Sequence, residues 1–326
     1  MSRRVIRDPG VRFAIFALLL ACLGEALGFP LMKALTLRST SVAPGVSGWF
    51  VSACLLSGRF LLAALVLSLF ERKRPSKSEI EQGLWIGGFA GGGHLLQTDG
   101  LNWTNASTSA FLTQGYVVVL PFLTMLENRR RPGRRLLWAV GINLVGLAIL
   151  ARFDPRTLTL GRGEAETLVA AVLFAGQIFS ISRPGYVGNR TGPVTLVMFL
   201  TIGLGVPIAA TSGCHSELAG LAAARELWFL LAALTLLSTL MPFVLMNRYQ
   251  RRVPASEAGV IYGAEPLFAA ILALFLPELL APISGVPYAN ESLSPRLVLG
   301  AALITLGPLL LRARASSAGS LDPGRS

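Results

Sequence analysis

Charge is scarce in this 326-residue chain: Asp, Glu, Lys and Arg make up 14% of it, against roughly 25% in an ordinary soluble domain. So few charged groups cannot cover a solvated surface, which excludes a typical soluble enzyme. Cysteine and histidine are nearly absent, with 3 and 2 residues. Cys22, Cys54 and Cys214 lie far apart and form no CxxC, so neither a disulfide framework nor a zinc site can be built from them. His94 and His215 have no companion at i+3 or i+4, and no metal site is expected. No GxxxxGKS or GxGxxG pattern is present, so no nucleotide or other cofactor is expected. Acidic residues are the scarcer charge, 17 against 29 basic ones, for a net charge of +12. Nucleic-acid binding needs those cations gathered on one solvated face. Here they sit in short clusters between apolar runs, which makes the lipid bilayer the partner and excludes nucleic acid.

Apolar residues are abundant: 53% of the chain is hydrophobic and the mean hydropathy is +0.61. A spanning helix takes about 20 apolar residues, and ten such stretches fit. They cover 13–37, 49–70, 83–100, 107–126, 136–153, 165–181, 193–212, 227–246, 258–277 and 296–311. The fold class expected is an all-α integral membrane protein of ten transmembrane helices. Arg3 and Arg4 faintly suggest a twin-arginine export signal, but the span that follows is too long for a signal core and carries Glu25 and Lys33. With the N-terminus inside, 21 cations fall on inner segments and 7 on outer ones. The positive-inside rule then places both termini in the cytoplasm of a cell (inner) membrane protein.

Around 152–163 the chain turns polar, and the halves on either side show weak self-similarity at an offset of about 150 residues. Lys33 matches Arg183, residues 110–117 align with 259–266, and Glu127 and Glu278 each follow the fourth span of a half. Five spans is an odd number, so the second half enters the membrane the other way up. That defines two five-helix inverted-topology repeats, 12–153 and 163–312, with a cytoplasmic tail at 313–326. Two similar bundles related in this way can open a central cavity to each side in turn, which points to a transporter.

An ionisable side chain at mid-membrane costs at least about 2.5–3.5 kcal/mol and so needs a partner, a cavity or a function. Arg59 is the eleventh residue of the 49–70 stretch, too deep to snorkel, and either pairs with a carboxylate or lines a cavity. Glu265 precedes Pro266, which frees a backbone carbonyl one turn earlier, and Tyr262 shares its face at i, i+3. This carboxylate could exchange protons, attract a cationic group, or neutralise Arg59. Glu25 lies mid-span in GEALGFP, where the glycines allow close helix approach and Pro30 invites a kink, so that a broken helix could act as a gate. Lys33 reads as an interfacial anchor. Gln97, Gln114 and Tyr116 could supply neutral hydrogen bonds inside apolar surroundings.

At these residues the sequence resembles the drug/metabolite transporter superfamily, specifically its EamA-like family of ten-helix proteins. The stretch EALGFPLMK at 25–33 is similar to the family's first-helix pattern, and RFLLAAL at 59–65 to its second helix. SAFLT at 109–113, with Tyr116 and Pro121, resembles the fourth helix. NRYQRR at 247–252 followed by AEPLFAA at 264–270 resembles the eighth-to-ninth junction. Two departures stand out: Glu25-Ala26 replaces the usual Trp-Gly, and Pro277-Glu278 replaces Gly-Glu. The resemblance implies a secondary carrier that exports small metabolites, such as amino acids or related compounds, without ATP.

The reading is a non-enzymatic carrier for a small-molecule substrate, working by alternating access as a monomer or homodimer, with a proton as a possible coupling ion. Its cavity is expected between the first, third, fourth, eighth and ninth spans. Glu25, Arg59, Gln97, Gln114, Tyr116, Tyr262 and Glu265 are the substrate or ion contacts expected. The alternatives are an intramembrane lipid-modifying enzyme and a passive channel. The first needs a concentrated catalytic site, whereas Asp8, Asp99, Asp154 and Asp322 are scattered singly. The second predicts flux without saturation.

Overall fold

A helix buried in lipid must satisfy its backbone internally, and the chain does so with helices throughout: among the described residues there is no strand. A computed structural model describes residues 9–128, 160–181, 183–186, 188–209, 218–252 and 261–313, with isolated helical positions between 138 and 149. Most of the fifth expected span, the arginines at 129–135, Cys214, His215 and the tail beyond 313 therefore lie outside the described residues, as does the Glu127 side chain.

The helices are α1 (Pro9–Val42), α2 (Gly48–Phe70), α3 (Lys77–Gly100), α4 (Ala106–Thr113), α5 (Tyr116–Asn128), α6 (Arg162–Ile181) and α7 (Thr191–Ala209). The short α8 (Leu218–Ala223) precedes α9 (Arg225–Thr235), a π-helical turn (Leu236–Leu240), α10 (Met241–Tyr249), α11 (Glu265–Ala273), α12 (Leu276–Ser284) and α13 (Pro295–Ala313). Local chemistry marks their ends. Ser47 accepts from the Phe50 N–H at the start of α2, and Ser76 with Glu79 forms a reciprocal capping box on α3. Gly285, at φ 68°, ends α12 in the left-handed conformation that favours glycine.

Among the described residues, four helical segments are long and apolar enough to cross a membrane: Arg12–Val42, Gly48–Phe70, Arg162–Ile181 and Arg225–Tyr249. A fifth is the pair α11 and α12, bent by 64° at its break. The ninth expected span, 258–277, is thereby corrected: helix continues to Ser284, and the sharp bend falls at Leu274–Phe275. A proline early in α12 and the interrupted ladder at the bend account for it. The loop expected from 278 is half helix, and its remainder is strapped down. The Glu291 N–H donates to the Ala273 carbonyl at 2.8 Å, and the Glu291 carboxylate accepts from the Ser107 N–H and hydroxyl.

Contacts at the helix ends show the chain running up and down. At one end Arg190 grips Glu79 with two side-chain bonds of 2.8 Å, and Tyr186 donates to Glu81 at 2.9 Å. At the other end Arg162 pairs with Asp99 and lies over the Trp103 ring, Thr104 donates to Glu164, and Arg38 lies 3.7 Å from Glu226. Lys33 also sits at that end, donating to the carbonyls of Leu101 and Thr104.

Apolar lipid gives apolar helices no reason to associate, so close packing of small residues must do so. α3 supplies the ridge. A Cβ on Gly83 would stand 2.6 Å from Val197, and one on Gly87 2.6 Å from Thr201 and 3.0 Å from the Met198 carbonyl, both on α7. Its other face meets α6 reciprocally: Gly93 receives Phe174, and Gly176 receives Phe89. Gly87→Val is expected to cost about 1–3 kcal/mol and to lower the melting temperature by roughly 2–10 °C. Gly88→Val, with nothing within 4 Å of its Cβ, should leave melting unchanged; equal melting of the two variants would refute the close-packed ridge.

Candidate functional site

Helix breaks expose backbone polar groups, and in a membrane protein such breaks are tolerated where protein or a cavity surrounds them. Two fall at positions that the internal alignment makes equivalent. Turn geometry at Gln114–Gly115 separates α4 from α5, so that α5 begins at Tyr116. Turn geometry at Gly263–Ala264 precedes α11, which begins at Glu265. Tyr116 and Glu265 are thus both first residues of a half-helix, and both line the same cavity.

That cavity spans about 760 Å³ of atom-free space, its open side included. Of the seven residues singled out in the sequence, Glu25, Arg59, Gln97, Tyr116, Tyr262 and Glu265 are brought together on its wall. Gln114 is not on the wall. It is buried at the α4–α5 break, and neither of its amide atoms has a well-formed hydrogen bond among the described residues. The walls also differ from those expected, because α2 and α6 contribute through Arg59, Phe174 and Gln177.

The buried Arg59 guanidinium is held by the π-helical turn. Its Nε donates to the Thr239 hydroxyl, its Nη2 donates to the Ser238 carbonyl at 2.8 Å, and the Thr235 hydroxyl donates back to the Arg59 carbonyl. A π turn shifts the ladder by one residue and leaves carbonyls free for such a donor. The turn lies against α1, where glycines admit it: any Cβ on Gly24 would meet the Leu237 carbonyl and Pro242, and one on Gly28 would meet Ser238. The glycines of GEALG therefore serve packing. Helix α1 continues unbroken through Pro30, so the gate expected at a break near Glu25 is not found there.

Neither Glu25 nor Glu265 has a hydrogen-bond or ion-pair partner among the described residues. Electrostatically, Glu25 is the charged neighbour of Arg59, and Glu265 the neighbour of Glu25. Arg59 thus has Glu25 as its charged neighbour, and the cavity wall carries two carboxylates and one arginine. Cys22, Tyr116 and Tyr262 surround this acidic end. The Tyr262 hydroxyl is oriented by donating to Gln250 at 2.8 Å, and the Cys22 thiol contacts the Ile261 carbonyl at 3.6 Å. Gln97 donates to Thr113 at 2.8 Å, tying α3 to the end of α4.

Sequence reasoning missed the other end of the cavity. His94, Phe174 and Phe243 lie there with Phe60 behind them; the His94 ring centroid is 4.9 Å from that of Phe174, 5.4 Å from Phe60 and 6.0 Å from Phe243. Aromatic side chains in an apolar span carry no linear signal of which face they occupy. Among the described residues no group of three or more potential metal ligands occurs.

The comparisons with known proteins agree with this architecture. No family model matches the chain. A relative from Archaeoglobus fulgidus, described as an uncharacterized transporter, is 26% identical over 226 residues, covering 69% of each chain. A solved structure titled only as the crystal structure of a protein superposes with a TM-score of 0.54 at 16% identity, covering 91% of this chain and 98% of that one. At that identity the likeness concerns the fold alone. The relative and the apolar helices together support a multi-pass membrane transporter.

Proposed function

We propose that the protein is a secondary carrier that moves small metabolites, such as amino acids or related compounds, outward across the cell membrane by alternating access. The observation that carries this reading is the pair Glu25 and Glu265, two carboxylates without hydrogen-bond partners on the wall of a cavity where helices of both halves meet. A static ion pair would have used its charges up; here one carboxylate awaits a proton or a cationic group. Glu265 at the start of a half-helix, and Tyr116 at the matching break, fit the discontinuous helices found at the binding sites of inverted-repeat carriers. On this reading the two halves form an inverted EamA-like repeat, and the arginine-rich end faces the cytoplasm.

The proton is the coupling ion proposed. Arg59, Cys22, Tyr116 and Tyr262 are the titratable groups beside the two carboxylates, and of these only Arg59 offers Glu25 a fixed positive charge. Binding of a proton at Glu265 in one orientation of the carrier and its release in the other would couple transport to the proton gradient.

The test is growth of a bacterial strain expressing the wild type or Glu265→Gln, challenged with toxic amino-acid analogues, purine analogues and lipophilic cations. Protection by the wild type against one chemical class, lost in the variant, is the expected result. Unchanged tolerance to every compound, with both proteins inserted in the membrane, would contradict export.

A further inference from the structure

Away from the cavity, at the end of the molecule where Arg190 meets Glu79, the start of α1 packs against the end of α10. Helix α10 and the 3-10 turn that follows it, Gln250–Arg252, carry Arg248, Tyr249 and Arg252. The Tyr249 ring holds two guanidiniums: the Cζ of Arg248 lies 5.7 Å from its centroid and that of Arg252 5.5 Å. The ring is set in turn by Phe13 of α1, whose centroid is 5.4 Å away in an edge-to-face arrangement at 68°.

The charge gathered there is unspent. Arg190, at the same end, is taken up by Glu79. Arg248 and Arg252 are exposed, and neither has an ion pair among the described residues. An aromatic ring meets a guanidinium through its face and occupies none of its five N–H donors. Two guanidiniums on one ring therefore keep their donors for the oxygens of a phosphate, and the ring lowers the cost of ordering them. Arg72 and Lys73, in the turn between α2 and α3, are exposed too, but no cation–ring contact among the described residues involves them.

From this pair toward the membrane interior, α1 presents Phe13, Phe16 and Leu20, which are 54%, 62% and 38% exposed. Their spacing of i, i+3 and i+7 puts them on one face. A phosphate held at the helix end would thus have an apolar ladder running inward from it, which suits a headgroup with a chain attached rather than a free ion.

We propose that the junction of α1 and α10 binds one anionic phospholipid, its phosphate on Arg248 and Arg252 and an acyl chain along Phe13, Phe16 and Leu20. A zwitterionic phospholipid has the same phosphate, but its ammonium would be brought up to two guanidiniums, so the anionic headgroup is selected. Because α1 and α10 come from opposite halves of the chain, the bound lipid bridges them.

The experiment is native mass spectrometry of the purified full-length protein in detergent, titrated with phosphatidylglycerol or with phosphatidylethanolamine of the same acyl chains, reading the affinity for the first lipid bound. The wild type should bind phosphatidylglycerol roughly ten-fold tighter, the scale of one to two arginines at a membrane surface. In Arg248→Gln/Arg252→Gln that preference should fall below two-fold. Arg72→Gln/Lys73→Gln, which removes the same charge from the same end, should keep it. Phe16→Ala should weaken both lipids alike. Equal binding of the two lipids by the wild type overturns the proposal without recourse to any variant. Equal losses in the two double variants also overturn it, because they would show attraction to net charge rather than a site. Displacement of phosphatidylglycerol by millimolar inorganic phosphate would assign the pair to a free anion and overturn the lipid. None of these outcomes depends on which compound the cavity carries.

Discussion

Glu265→Gln protein reconstituted in liposomes is expected to lose pH-driven flux, to below about one-tenth of the wild-type rate, while substrate exchange at equal pH persists. The variant preserves the size of the side chain, so the cavity and the half-helix start are kept. What disappears is the group that must be protonated in one orientation of the carrier and deprotonated in the other. Exchange needs only that loaded carrier reorient, and it does not need the proton. Glu25→Gln is expected to have a smaller effect on coupling, because Glu25 is opposed by Arg59 whereas Glu265 is not. Normal pH-driven flux in both variants would remove the carboxylates from the coupling mechanism.

The second large effect is expected at Arg59. Arg59→Met removes the donor that satisfies the Ser238 carbonyl and the Thr239 hydroxyl of the π turn, and it leaves two cavity carboxylates with no cation between them. Breaking a buried charge network by removing one partner costs about 3–5 kcal/mol. The sign of the pH dependence follows. Acid protonates the carboxylates and relieves their mutual repulsion, so the deficit of Arg59→Met relative to wild type should narrow as pH falls. The double variant Arg59→Met/Glu25→Gln should recover part of the loss, since it removes one of the two facing charges. Thermal melting of the four proteins in detergent at two pH values checks this as a double-mutant cycle. Additive losses, or a deficit that grows in acid, would show that Arg59 acts on the π turn alone.

What the sequence made legible was whatever contrasts with its surroundings. Glu25, Arg59 and Glu265 stood out because a charge in an apolar span is expensive, and the structure brings all three to one cavity. The breaks before Tyr116 and Glu265 were not legible, since both fall inside apolar stretches that read as continuous spans. Phe174 and Phe243 were not legible as cavity residues, because an apolar or aromatic side chain looks the same whether it faces lipid, a neighbouring helix or a cavity. Pro30 misled: neighbouring elements can re-satisfy the carbonyl it frees, and α1 runs on past it. The π turn at Leu236–Leu240 has no local sequence mark at all. It becomes intelligible only with Gly24, Gly28 and Arg59 beside it, residues that lie far away in the chain.

The central claim is that one cavity opens to each side of the membrane in turn. Thr98 lines that cavity, and the most direct test places a single cysteine there, Thr98→Cys, after Cys22, Cys54 and Cys214 have been replaced by alanine. A membrane-impermeant thiol reagent is applied to right-side-out and to inverted vesicles across a range of pH. The account predicts labelling from both faces, with a change in pH that raises reactivity on one face lowering it on the other. Labelling from one face alone at every pH, or reactivity that rises and falls together on both faces as in an open channel, would contradict it.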